Sequence, residues 1–263
     1  MTDLPPEVLR RCDILGVRVV AEPLGAVTAA VEAALGRAAR EALCLCPVDV
    51  HCVLEARKDP ELARFLDEAA FTVADGMPLV RVARWMGFLQ AERARGADLM
   101  WRILERTRGA GLGHFFYGGR EGVADALVVR VAEAFPGIRV AGAFCPPFRP
   151  LTPAEEDDLV ARIHASGADV VWVGLSTPKQ HHWAATMRGR LDVKLIAVVG
   201  AAFDYHTGGI RPAPAWMQAW SLEWLYRLVQ EPRRLWRRYL EVVPGFVWLV
   251  GVQLLRGRRR GGG

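Results

Sequence analysis

Two hydrophobic rhythms alternate along the chain. Residues 43–48, 71–74, 138–143, 170–173 and 193–199 are short, nearly continuous apolar runs, the pattern of strands whose two faces are both covered. Between them apolar positions recur at helical spacing, as Val27, Val31, Ala34 and Leu35 do after Pro23 and Gly25. Residues 14–20 read as a first strand behind an extended leader, residues 1–11. Residues 77–86 read as a helix, Thr152 and Glu155 as a capping box that starts another, and Asp98 as the cap of a third. Strand and helix keep alternating, which predicts an α/β fold: a Rossmann-like, mainly parallel sheet with helices on both faces. The pattern breaks at Ser221. Residues 1–220 therefore read as the α/β core and 221–263 as a C-terminal helical appendage, broken at Pro232.

In a parallel sheet the loops at the carboxyl ends of the strands hold ligands. Those loops carry Asp49 and His51 after residue 48, Asp75 and Gly76 after 74, Gly118, Gly119 and Gly122 after the run HFFY, Lys179 and Gln180 after 173, and Asp204 and His206 after 199. Each has a plainer reading. Asp49 suits a helix N-cap as well as a site, and His51 suits a surface or structural histidine. Asp75 is placed to accept a proton from a hydroxyl, or is the aspartate of a simple turn. Arg93 or Arg95 offers a fork of donors to a phosphate, or is a solvated surface arginine. Gly118 and Gly119 leave backbone N–H groups open at a helix start, though without the full dinucleotide spacing. Lys179 and Gln180 are ligand contacts, or part of a strand-to-helix connection. Asp204 holds sugar hydroxyls or ends a turn.

Composition narrows the classes. The 263 residues are 52% hydrophobic, enough for a sizeable core. No apolar run reaches the roughly 20 residues of a spanning helix, and the start MTDLPPEVLR lacks a signal-peptide pattern, so a cytoplasmic protein is expected. Five cysteines without paired spacing point to small buried hydrophobes. The net charge of +5 comes from the tail: nine arginines and two acids from Arg227 onward give +7, leaving −2 for residues 1–226. In that tail Arg227, Arg234, Arg237 and Arg238 share one face if the helical path is continuous. Residues 242–255, about fourteen and nearly uncharged, are too short to cross a bilayer and suit a segment lying in the interface of an anionic membrane. A docking helix or a dimer contact is the alternative. Nucleic acid fits less well, because the charge accompanies aliphatic residues.

The motifs ARKDPEL (56–62), ADG (74–76), RARGADLM (93–100), FFYGG (115–119), VGLSTPKQ (173–180) and GAAFD (200–204), with APAWMQ and EWLYRLVQEPRRLWRRYL (213–240), resemble the WecG/TagA/CpsF glycosyltransferases, family 26. The resemblance implies a GT-E type fold and transfer of a hexose, N-acetylhexosamine or its uronate from a UDP-sugar to a polyprenyl-diphosphate-linked saccharide of the cell envelope. It implies inversion, no required metal and no cofactor besides the donor. It makes Asp75 the general base, lines the donor pocket with Arg93, Gln180 and Asp204, and brings Arg227, Arg234 and Arg237 over the diphosphate. It places the enzyme peripherally on the inner face of the cell membrane and leaves the oligomeric state open. Pro47, Val48 and Asp49 stand where the family usually carries T-x-N. That departure supports an alternative, a membrane-associated UDP-binding scaffold that has lost activity. A nucleotide-dependent oxidoreductase is the other, disfavoured because no G-x-G-x-x-G follows the first strand.

Overall fold

The structure, a computed structural model, describes residues 9–37 and 41–260, without the side chains of Arg234 and residues 257–260. The leader lies mostly outside the described residues. β1 (Arg11–Ile14) and β2 (Val17–Val20) precede α1 (Leu24–Leu35), β3 (Leu43–Val48), α2 (Val50–Ala56), α3 (Pro60–Glu68) and β4 (Phe71–Ala74). Next come α4 (Met77–Trp85), α5 (Gly96–Thr107), β5 (Gly113–Gly118), α6 (Val123–Ala134), β6 (Arg139–Phe144) and α7 (Pro153–Ser166). β7 (Val170–Gly174), α8 (Lys179–Met187), β8 (Leu195–Val198) and α9 (Ala202–His206) complete the alternation, and α10 (Ala215–Ala219), α11 (Glu223–Gln230) and α12 (Pro232–Arg260) follow.

The described strands form one eight-stranded sheet in the order β1-β2-β4-β3-β8-β7-β5-β6. Only the β1–β2 pair is antiparallel. The single strand expected over residues 14–20 is instead the second half of this hairpin. Leu15 (φ 56°) and Gly16 (φ 92°) both take positive φ, the geometry of a tight two-residue turn, and Asp13 Oδ1 accepts the Gly16 N–H at 2.9 Å.

Alternation within the apolar strands feeds two cores, one on each face. Cys44, Cys46, Phe115, Val171 and Val173 enter the core shared with α2, α3, α4 and α8. Leu45, Phe116, Val170 and Trp172 enter the opposite one, with α1, α5, α6 and α9. Cys12, Cys44, Cys46 and Cys52 are free and buried, as small hydrophobes would be. In the second core Trp172 Nε1–H donates to His114 Nδ1 (3.2 Å), and His114 Nε2 lies 3.2 Å from Thr107 Oγ1, which donates to the Ile103 carbonyl (2.7 Å). Burial pushes His114 down to about 4.

The capping box of Thr152 and Glu155 is present on α7. Asp98, by contrast, does not cap α5. It pairs with Arg95 within the first turn (2.7 Å), while the Gly96 N–H is taken by a residue from another element, Asp75.

The chain breaks between α11 and α12 at Pro232, but Pro244 does not end α12. The apolar segment is therefore longer than the fourteen-residue run suggested. Residues Leu235–Arg256, 22 residues of mean hydropathy 1.3, are by length and composition alone enough to cross a membrane. One face of α12 is nonetheless docked. Leu235, Phe246 and Val250 are buried, and Gln253 accepts the Leu15 N–H (3.0 Å) and donates to the Asp13 carbonyl (2.7 Å). The opposite face leaves Leu240, Val247, Trp248 and Leu255 in the open.

Candidate active site

The first four strands lie on one side of the β3–β8 junction and the last four on the other, so the crevice of an open sheet falls at the carboxyl ends of β4, β3, β8, β7 and β5. Asp75, Asp49, Gly200 and Gly118 sit at the ends of β4, β3, β8 and β5, and Gln180, in the first turn of α8, follows β7.

Asp75 follows β4, and its carboxylate Oδ1 accepts the Gly96 N–H at the start of α5 at 2.6 Å. Gly96 is needed there because α5 begins against the end of β8: an added Cβ would lie 2.9 Å from the Val199 carbonyl oxygen. Burial pushes the Asp75 carboxyl up to about 6, and the negative charges of Asp49 and Glu223 act in the same sense. The Gly96 N–H and Arg93 oppose them. A carboxylate tuned toward neutrality is a stronger base than an ordinary surface aspartate, and is still largely ionised at pH 7.

Arg93 lies in the connection before α5. Its Nε donates to the Asp75 carbonyl (2.7 Å), Nη1 to Gln218 Oε1 (2.9 Å) and Nη2 to Glu223 Oε2 (2.5 Å). Tyr205 O–H donates to Glu223 Oε1 (3.3 Å), and Arg95 lies over the Tyr205 ring, 5.1 Å from its centre. Segments that follow the last strand thus close over the β4 end of the crevice.

Asp49 caps α2, its Oδ1 accepting the Cys52 N–H at 2.8 Å, and its charge also reaches Asp75. The N-cap reading of Asp49 holds. His51 is half-buried, with Nδ1 unpartnered within the protein, and burial lowers its pKa. Gln180 is 3% exposed, its Oε1 has no protein partner, and its amide lies beside Gly200. This buried amide oxygen at the end of β8 is left without a donor from the protein. Lys179, next to it, is exposed, with Nζ 5.7 Å from the centre of the Phe148 ring.

Gly118 and Gly119 take φ of 126° and 77°, and Gly119 N–H donates to the Gly174 carbonyl (2.9 Å). A Cβ on Gly118 would lie 2.6 Å from that carbonyl oxygen, so these glycines let the β5 and β7 ends meet. Asp204 is nearby on α9, loosely paired to the exposed Arg120 at 3.4 Å. His206 turns away from the crevice. It stacks on Trp101 with ring centres 4.1 Å apart, and its Nε2 lies 2.9 Å from the Ala97 carbonyl.

The tail arginines divide. Arg227 points inward with Nε buried and unpartnered, and its charge reaches Tyr205. Arg237 is exposed and lies over Trp236, whereas Arg238 is half-buried with an unpartnered Nε. Arg234 lies on α12, its side chain outside the described residues. Glu223, Gln218 and Tyr205 were not singled out from the sequence. Nothing in the pattern joins Arg93 to a glutamate 130 positions later.

A family model, "Glycosyl transferase WecG/TagA/CpsF family", matches residues 12–260. The chain belongs to this family. It is 31% identical over 196 residues to an N-acetylglucosaminyldiphosphoundecaprenol N-acetyl-beta-D-mannosaminyltransferase of Bacillus spizizenii, covering 74% of each chain. That relative acts, by its name, on a sugar carried by diphosphoundecaprenol. In this WecG/TagA/CpsF member Asp75, from the ADG motif, is a buried carboxylate at the β4 end of the crevice.

Proposed function

We propose that this protein is an inverting, metal-independent glycosyltransferase. It moves a hexose, an N-acetylhexosamine or its uronate from a UDP-sugar to a polyprenyl-diphosphate-linked saccharide in cell-surface polysaccharide or exopolysaccharide synthesis. It works on the inner face of the cell membrane. The observation that carries this reading is the environment of Asp75, a carboxylate whose pKa is raised by burial to about 6 at the carboxyl end of a central strand.

The acceptor hydroxyl gives its proton to Asp75 as its oxygen attacks the anomeric carbon from the face opposite the UDP group. The glycosidic bond to UDP breaks, and the departing diphosphate takes the electron pair. Its growing charge calls for cations, and Arg227, whose buried Nε has no hydrogen-bond partner while its Nη2 lies 3.9 Å from Glu231, supports that role, with Arg234 and Arg237 as further candidates. The free amide oxygen of Gln180 and the carboxylate of Asp204 are acceptors for donor hydroxyl or N–H groups, while Gly118, Gly119, Lys179 and Asp49 border the same crevice. The named substrate of the Bacillus spizizenii relative supports a lipid-linked acceptor here. The outer apolar face of α12, ending in arginines, supports docking on an anionic leaflet.

The test is UDP release from a panel of UDP-sugars, with and without a short polyprenyl-diphosphate-linked sugar, for the wild type and Asp75→Asn. One donor is expected to turn over only with the lipid acceptor, and the substitution to cut the rate by roughly 10²- to 10⁴-fold. UDP binding without turnover of any donor would overturn the reading in favour of a scaffold.

A further inference from the structure

The guanidinium of Arg93 sits next to a carboxylate without pairing with it. Its Nε donates to the backbone carbonyl of Asp75, and its two Nη groups are drawn away by Gln218 on α10 and Glu223 at the start of α11. An arginine free to do so would turn its fork onto the Asp75 carboxylate, since a bidentate pair is the stronger arrangement. Glu223 is itself held in place, with Tyr205 O–H on its other oxygen, and both partners are largely buried: the side chains of Arg93 and Glu223 are 14% and 20% exposed.

We propose that Glu223 is a positioning residue for the catalytic base: by holding the Arg93 fork it fixes the loop that presents Asp75 and keeps the guanidinium off the Asp75 carboxylate. This rests on the transfer reading above only for the name of the base. Its consequence is that the segment after residue 220 contributes to proton abstraction as well as to binding, so the base reaches full strength only with α11 in place. The charged and titratable groups facing Asp75 are Arg93 from the loop before α5, Asp49 and Cys52 from α2, Tyr205 from α9 and Glu223 from α11. Of these, Glu223 is the one that both repels the carboxylate's charge and occupies its neutralising neighbour.

The test uses the full-length chain and two readouts. The pH dependence of kcat/KM is compared for the wild type, Glu223→Gln, Glu223→Ala and Tyr205→Phe, and the Asp75 carboxyl is titrated by carbon-13 NMR in the same proteins. Glu223→Gln keeps the shape and removes the charge, so it guards against misfolding of the alanine variant. The expected result is an acid limb and an Asp75 titration both about one pH unit lower in Glu223→Gln. A drop in kcat of at least tenfold is expected in Glu223→Ala, with a smaller change of the same sign in Tyr205→Phe. A loss of rate with neither midpoint moved would reduce Glu223 to a structural anchor, and unchanged rate and midpoints would overturn its role altogether. The NMR titration needs no substrate, so it decides the inference even if no UDP-sugar turns over, the outcome that would overturn the transfer reading instead.

Discussion

Asp75 and Gly96 meet at 2.6 Å, the carboxylate of one accepting the first N–H of the helix that the other begins. The candidate base therefore also serves as the cap of α5, a role that the sequence pattern assigns to Asp98. A proposed base that also has a structural task leaves a signature when it is replaced.

Asp75→Asn can still accept the Gly96 N–H, but it removes the cost of a charge held in a desolvated place. The folded-state pKa of Asp75 is about 6 against an ordinary 3.8, so the native carboxyl holds its proton more tightly than the unfolded one. Its contribution to stability is largest below 3.8 and is lost as pH rises through 6. Asp75→Asn is therefore expected to melt higher than the wild type at pH 7 to 8 and to lose that advantage near pH 4. Thermal unfolding at these two pH values checks it, and a lower melting temperature at pH 8 would contradict the assignment.

Gly118→Ala places a Cβ at φ 126° and 2.6 Å from the Gly174 carbonyl oxygen. Backbone cannot retreat as a flexible side chain can, so the cost is on the order of 3 kcal/mol, lowering Tm by roughly 6–12 °C. UDP affinity, read by calorimetry, should fall with it, because the β5 and β7 ends are pushed apart. Gly122→Ala is the control: its φ of 80° is also strained, but no atom lies within 4 Å of the added Cβ, so UDP affinity should hold.

Trp172→Phe removes the donor to His114 Nδ1 in the second core. An acceptor left unpaired there costs about 1–3 kcal/mol beyond the lost packing, read as a lower urea midpoint at pH 8. His114 also sets an acid sensitivity. Held neutral down to about 4, it stays unprotonated while the unfolded chain takes up a proton near 6.5, so its contribution to stability falls as pH drops from 6.5 toward 4. Wild-type urea midpoints at pH 7 and 5 should differ in that direction by more than those of His114→Asn.

The outer face of α12 offers a separate test. Leu240 and Trp248 are 66% and 72% exposed, so Leu240→Glu with Trp248→Glu should leave the melting temperature unchanged. Burying two such side chains in an interface contributes roughly 1.5–3 kcal/mol each, so recovery on vesicles containing anionic lipid should fall at least tenfold. Retention of full vesicle binding would exclude this face as the docking surface.

Much of this protein is determined by sequence alone. Five of the strands, from residues 43, 71, 139, 170 and 195, are legible as apolar runs; for all but the half-buried edge strand β6 the reason is burial on both faces, which leaves no room for charged positions. The connections that carry Asp49 and Asp75, and the helix starts that carry Gln180 and Asp204, follow from them, since each comes just after a strand. The β1–β2 hairpin was missed because Leu15-Gly16 interrupts an apolar run without a common hairpin pair, and only pairing across the turn reveals it. The length of α12 was missed because charge interrupts a hydropathy count but does not interrupt a helix. What only the tertiary structure decided is which charges meet. Arg93 and Glu223 are 130 residues apart, and Asp75 reaches Gly96 across the β4–α5 connection. A sequence records each group's chemistry, whereas basicity is set by desolvation and by neighbouring charges within a few ångströms, and these exist only once the chain has closed on itself.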